Sequence, residues 1–291
     1  MKNGFGFTTF GFKTDQVMCG RYLLVQKVEV LEKRFQAEAP PGFVFNGSYN
    51  IAPGQIAPVI VGHQPHSLQL FRFGLSPFWA KKDMMLINAR AEGDHNREDA
   101  SGYAGARGII EKPSFRKAIR SQRCLIPADA FIEGTIIEKL GKPFLVYLRN
   151  KVRPFAMAGI WDQWKHPESG AEVFGFAIVT TAGNELMRML PHHRMPVILN
   201  PRDEAVWLNP DAPLYKITRL LNPFDASLMN AYPITPAVKS PKASGADLIK
   251  PLGQPLLGET EVMVKRNMML QGMGNRKQSF NDHNPEEPIK P

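Results

Sequence analysis

The spacing of apolar positions changes character several times along the chain. Arg21 to Val25 is a short run of β type, and Val28, Leu31 and Phe35 then recur at helical spacing with Glu and Lys between them. That pattern predicts an amphipathic helix of about three turns, stopped at Pro40-Pro41. Ser48 to Gln55 carries Asn, Pro and Gly and is expected to be an ordered loop. Ile56 to Val61 and Leu68 to Phe73 flank a Gln-Pro-His turn at 64–66 and predict a hairpin. Polar and apolar positions alternate from Leu86 to Glu92, so Asn88, Arg90 and Glu92 share one strand face or line a loop leaving a strand.

The stretch 93–112 has no period and is expected to be a loop. Pro113 precedes a short helix opening at Ser114, a candidate cap. Strand-type runs then dominate: 123–126, 130–133, 143–148, 155–161 and 174–181. Helices are expected at 184–190, 204–208 and 215–221, with strands after Pro196 and at 229–234. Strands and helices mix without βαβ regularity. The expected fold is α+β: a single domain with a curved, barrel-like mixed β-sheet and flanking short helices. Residues 1–18 read as a leader or extension, 19–252 as the domain, and 253–291 as a disordered tail, because periodicity fades and Gly, Asn, Lys, Glu and Pro accumulate.

Composition narrows the function classes. The chain has 291 residues and a formal net charge of +9, with Lys and Arg spread along it. Such an excess either serves solubility or gathers into one basic face suited to a polyanion. Only two cysteines occur, Cys19 and Cys124, which provides no disulfide framework and no zinc pattern. That usage fits a reducing, cytoplasmic setting. No apolar run approaches the roughly 18 residues of a membrane helix. GxGxxG, Walker A, GxSxG and HExxH are missing, which weakens dehydrogenases, nucleotide hydrolases, esterases and zinc proteases. Neither a metal nor an organic cofactor is expected.

Met18-Cys19-Gly20-Arg21-Tyr22 is the stretch with most chemical promise. Cys19 is either one more apolar residue of a first strand or, if residues 1–18 are absent from the working protein, an N-terminal cysteine. The latter carries an amine with a pKa of about 8, nucleophilic toward aldehydes, and a thiol able to close a ring on the resulting imine. Residues 1–18 could be a removed leader, sequence ahead of a true start at Met18, or an extension that stays. Glu133 closes an apolar run and is a rim charge or a proton carrier. His192 follows Pro191 and is structural or a proton donor. Arg90, Arg116 and Arg194 are surface charges or phosphate contacts. Trp79 is core or, beside Pro77, an exposed stacking ring.

Nine blocks stand in order: MCGRY at 18–22, YNIAPGQ at 49–55, FGLSPFWA at 73–80, INARAE at 87–92, PSFR at 113–116, RCLIPADAFIE at 123–133, AGIW at 158–161, TTAGN at 180–184 and HHRMPVIL at 192–199. Together they resemble the SRAP family, the SOS response-associated peptidases, also described as abasic-site processing proteins. The resemblance implies a positively charged groove for single-stranded DNA containing abasic sites; a monomer, nucleoid-associated when DNA-bound, is expected. It implies catalytic roles for Cys19, Asn88, Glu133 and His192. It implies DNA contacts by Arg21, Arg90 and Arg194, with Asn50, Pro53 and Trp79 lining the groove; Arg116 is expected to join them as a phosphate contact. Cys19 would form a thiazolidine with the ring-opened sugar, helped by His192 and Glu133 as proton carriers.

The chain departs from the family pattern at Ala130, Gly134, His193 and Lys239, where Gly, Trp, Asp and Asn are usual. Two further readings remain: a thiol autopeptidase with Cys19 as nucleophile, or a non-catalytic single-stranded DNA-binding module.

Overall fold

In a computed structural model, residues 20–100, 102–149 and 153–259 are described. The expected leader, Cys19 and the part of the expected tail beyond 259 lie outside them. The strands are β1 (Arg21–Leu24), β2 (Ser48–Ile51), β3 (Ile56–Val61), β4 (Gln64–Phe73), β5 (Asn88–Arg90), β6 (Arg123–Ala128), β7 (Ala130–Thr135), β8 (Lys139–Leu148), β9 (Phe155–Lys165), β10 (Glu172–Ala182), β11 (Arg194–Pro196), β12 (Ile198–Leu199) and β13 (Met229–Pro233). The helices are short: α1 (Val28–Phe35), α2 (Ala118–Ser121), α3 (Glu185–Met189), α4 (Pro201–Leu208) and α5 (Leu214–Arg219).

The strands form two sheets. One is antiparallel, in the order β13-β8-β7-β1-β2. In the other, β10, β4, β3, β6 and β9 pair in sequence, and β9 pairs again with β10. That last pairing closes a five-stranded barrel. The β4–β10 seam is parallel, at Arg72–Gly175 and Phe73–Phe176, and makes the sheet mixed. Further along the same strand, β5 runs parallel to β10 at Asn88–Ile178 and Arg90–Thr180, while β11 pairs antiparallel at Arg194–Ala182. Strand β10 therefore holds the ends of β5 and β11 in fixed register. The architecture is the α+β fold with a curved mixed sheet that the pattern predicts.

The antiparallel sheet is buried on both faces, so its strands read as continuous apolar runs. Successive side chains point to opposite sides of a strand. Tyr22 and Leu24 enter the main core, where Phe73 meets Tyr22 edge-on at 5.7 Å and stacks on Phe176 at 5.2 Å. Leu23 joins Ala130, Ile132, Leu145 and Tyr147 in a second cluster, covered by 3-10 turns at Pro236–Lys239 and Ala246–Ile249. On β7, Phe131 faces the main core, and Glu133 shares its parity. The chain then runs beside β13 to Glu259, with Leu252 N–H donating to Pro233 O and Leu256 N–H to Ala231 O, both at 2.8 Å. Glu259 accepts from Tyr147 Oη at 2.7 Å and pairs with Arg149 at 2.5 Å.

Two local expectations are corrected. Ser48–Ile51 is strand β2 rather than loop, because pairing with β1 (Tyr22–Ile51) outweighs the turn preference of Asn50. Ser114 caps no helix: residues 113–117 are turns, and α2 begins at Ala118 after Lys117, whose side chain makes no cap hydrogen bond.

Candidate active site and nucleic-acid interface

Glu133 and His192 meet in the interior. His192 is 1% exposed and Glu133 is 2% exposed, and Nε2 lies 3.4 Å from Oε2. The imidazole is fixed by the segment after α3. Asn184 caps that helix, its Oδ1 accepting from Met187 N–H at 3.1 Å, and its amide donates to Phe224 O at 2.8 Å. His192 N–H then donates to Met187 O at 2.9 Å. The ring Nδ1 lies 2.8 Å from the Arg194 carbonyl. The Arg194 N–H also lies 3.3 Å from Nδ1, so that residue's backbone fixes the ring and Nε2 turns toward Glu133. An imidazole and a carboxyl group side by side are the residue types that give and take protons at a reacting group.

Strand β1 runs antiparallel beside β7, with Arg21 opposite Ile132. One further step of that register sets Gly20 beside Glu133. Arg21 is half-buried, its guanidinium donating to Gly20 O at 2.8 Å and Lys239 O at 3.3 Å, and burial lowers its pKa from the ordinary arginine value. At Gly134 a Cβ would stand 1.8 Å from the Lys139 carbonyl oxygen, so this backbone admits no side chain there.

A second group of charges adjoins the first. Arg194 on β11 is 5% exposed; its Nη2 lies 3.0 Å from Glu92 Oε2 and donates to Thr180 Oγ1 at 3.0 Å. Glu92 also accepts from Ala182 N–H at 3.0 Å. Burial works to raise the Glu92 carboxyl, but Arg194 and these hydrogen bonds outweigh it and hold it below the ordinary range. Arg194 Nη1 lies 3.1 Å from Asp99 Oδ1, and Arg90 Nη2 lies 2.8 Å from the same oxygen. Burial first, then the neighbouring Arg194, lowers the Arg90 pKa. Asn88, two residues before Arg90, is buried at the start of β5.

The remaining predicted residues lie apart from this line. Asn50 is buried, and its amide nitrogen donates to the carbonyls of Val238, Ser240 and Ala243 at 3.2, 2.9 and 3.3 Å, which pins that loop to β2. Pro53 sits in the turn after β2, half-buried. Arg116 is exposed. Trp79 is 48% exposed and Phe78 54%, on a turn held from both ends by β9. Asp162 accepts from Phe78 N–H at 2.9 Å, and Trp164 Nε1 donates to Ala80 O at 2.7 Å. Lys117 Nζ rests 4.2 Å from the Phe78 ring centroid, giving the rim a cation–aromatic face.

Sequence reasoning singled out Glu92 without giving it a role. It missed Asp99, Thr180 and Asp162. Asp162 had a usable signal, a carboxylate directly after an apolar strand run; Asp99 sits in a loop without a period and had none. Among the described residues, no cluster of three or more His, Cys, Asp or Glu could hold a metal ion, and no helix is long and apolar enough to cross a membrane.

Residues 18–241 match the family described as SOS response associated peptidase (SRAP). The abasic site processing protein YoqW of Bacillus subtilis (strain 168) is 38% identical over 242 residues, covering 80% of this chain and 99% of that protein. The abasic site processing protein YedK of Escherichia coli (strain K12) is 28% identical over 243 residues, covering 81% of this chain and 100% of that protein. A crystal structure of a protein from Bacteroides thetaiotaomicron matches with a TM-score of 0.67 at 29% identity, over 80% of this chain and 99% of that one. Glu133, His192 and Arg194 all fall within the matched span, and this chain belongs to the SOS response associated peptidase (SRAP) family.

Proposed function

We propose that this protein binds single-stranded DNA and joins itself covalently to abasic sites, through Cys19 as the N-terminal residue of the working chain. An abasic deoxyribose opens to an aldehyde at C1′. The Cys19 amine adds to that carbon and water leaves, giving a Schiff base. The thiol sulfur then adds to the same carbon, its proton passes to nitrogen, and a thiazolidine ring closes. The crosslink shields the lesion from strand cleavage.

The observation that carries this reading is the Glu133–His192 pair beside the entry of the chain into β1. Ring opening needs a proton donor, and imine formation needs protons moved to and from oxygen and nitrogen; a buried imidazole and carboxyl group side by side are suited to both. In this reading His192 assists opening of the sugar, Glu133 handles protons at the imine, and Asn88 holds the amine or the sugar oxygen. Arg21, Arg90, Arg116 and Arg194 hold phosphates, while Trp79 and Pro53 cover the strand where the base is missing, with Asn50 lining the groove. Names of relatives that process abasic sites support the substrate. The net charge of +9 supports a polyanionic partner.

The chemistry requires that residues 1–18 be absent, by initiation at Met18 with loss of that methionine or by cleavage. The test is intact mass of the purified protein, alone and after mixing with an oligonucleotide carrying one abasic site. The expected result is a mass beginning at Cys19 and a covalent adduct lost in Cys19→Ala. A mass beginning at Met1 with no adduct overturns crosslinking and leaves a single-strand binding module. Cleavage before Cys19 that is itself lost in Cys19→Ala adds autopeptidase chemistry.

A further inference from the structure

Arg90 and Arg194 converge on one oxygen. Asp99 Oδ1 is 2.8 Å from Arg90 Nη2 and 3.1 Å from Arg194 Nη1. One anionic oxygen between two guanidinium groups is the geometry in which arginines take a phosphate oxygen. The carboxylate is also the outermost member of the group: its side chain is 23% exposed, against 17% for Arg90 and 7% for Arg194. It stands between the arginines and solvent. Glu92 lies behind them and already pairs with Arg194. Two positive charges thus face two negative ones with Asp99 in place, and one positive charge is left over when it is withdrawn.

The backbone around Asp99 is set up to deliver it. Asp99 has φ +55°, the left-handed region that few residues other than glycine adopt. The turn is clipped by Asn96, whose Oδ1 accepts from Ala100 N–H at 2.9 Å while its own carbonyl accepts from Asp99 N–H at 3.2 Å and from Arg90 Nη2. This carboxylate belongs to a turn rather than to a strand of the barrel, so it can leave without breaking a sheet.

We infer that Asp99 occupies the place of a DNA phosphate between Arg90 and Arg194, and that the strand must displace it to bind. The inference rests on the proposed binding of single-stranded DNA. Asp99 sets a threshold: short or weakly bound polyanions do not dislodge it, whereas a strand held along the rest of the groove does.

The experiment is fluorescence anisotropy of the full chain with a labelled single-stranded oligonucleotide lacking abasic sites, at low and moderate salt. Asp99→Asn keeps the shape and removes the charge. It is expected to tighten binding about three- to tenfold at low salt and to steepen the salt dependence, because one more phosphate contact is made without an internal competitor. Asp94→Asn removes a charge from the same loop whose ion pair is with Lys112, at 2.8 Å, and is expected to change affinity far less. Adding Arg90→Ala to Asp99→Asn is expected to abolish the gain. Unchanged or weaker binding by Asp99→Asn overturns the inference and makes Asp99 a clamp that orients the arginines. An equal gain in Asp94→Asn overturns it too, as a general charge effect. If neither wild type nor Asp99→Asn binds the strand, the proposed function falls with it; adduct formation with wild-type affinity for both chains leaves that function standing and removes only this inference.

Discussion

Glu92 and Asp129 are both fully buried carboxylates, and they titrate in opposite directions. Glu92 lies between β5 and β11, where Arg194 holds it ionised against the pull of burial. Asp129 lies between β6 and β7, where burial pushes its carboxyl up to about 6. The Val25 N–H at 2.7 Å, the Gln26 hydrogen bonds and the charge of Arg153 all pull it down without cancelling burial. The lesson is that depth alone does not decide whether an acid stays charged; a guanidinium at 3.0 Å does. At the candidate site Arg194 holds the acid below its ordinary range, and at the sheet junction burial moves the acid's titration toward neutrality.

Removing the guanidinium is the hardest blow to that contrast. Arg194→Met leaves Glu92 buried without its cation and is expected to destabilise the fold by about 3–5 kcal/mol in urea denaturation. Adding Glu92→Gln should recover most of the loss; no recovery would mean that Arg194 acts through packing rather than through its charge. Asp129 supplies the next effect. A folded pKa of about 6, above the ordinary 3.8, means that the native chain holds the proton more tightly than the unfolded one. The contribution is therefore fully present below about pH 4 and lost as pH rises through about 6, on the order of 2–3 kcal/mol. Asp129→Asn should flatten that part of the stability profile, and a constant difference from pH 4 to 7 would show the acid to be ionised throughout. The smallest effect on stability belongs to the exposed rim. Trp79→Ala should leave stability within about 0.5 kcal/mol of wild type, while weakening single-strand binding by about 1–3 kcal/mol per base stacked. A large loss of stability would make Trp79 part of the core after all.

Strands with a strong apolar run were legible in the sequence. Phe155 to Trp161 and Phe174 to Thr181 are β9 and β10, each found to extend a few residues further. Ser48–Ile51 was not, because its strand character comes from β1 rather than from its own residues. Asn88 and Arg90 fall on alternate positions of β5, while Glu92 lies just past its end, in the turn that leaves the strand. Asp99 was invisible, since its meaning depends on two arginines brought together by β10 from distant parts of the chain. Asn50 shows the opposite limit. A polar residue in a Pro-Gly segment suggests a ligand contact, yet its amide nitrogen is committed to three backbone carbonyls.

The parallel seam between β4 and β10 joins Arg72 to Gly175, roughly a hundred residues apart, and such distant pairings form late in folding. Synthesis runs from the N-terminus, so the segment around Cys19 leaves the ribosome long before His192 and Arg194 exist. Until β10 closes the barrel, Glu133 has no imidazole and Arg90 stands without Arg194. The order of synthesis thus acts as a delay: a nascent chain carries Cys19, the proposed nucleophile, first and acquires the groups proposed to assist it only when nearly complete.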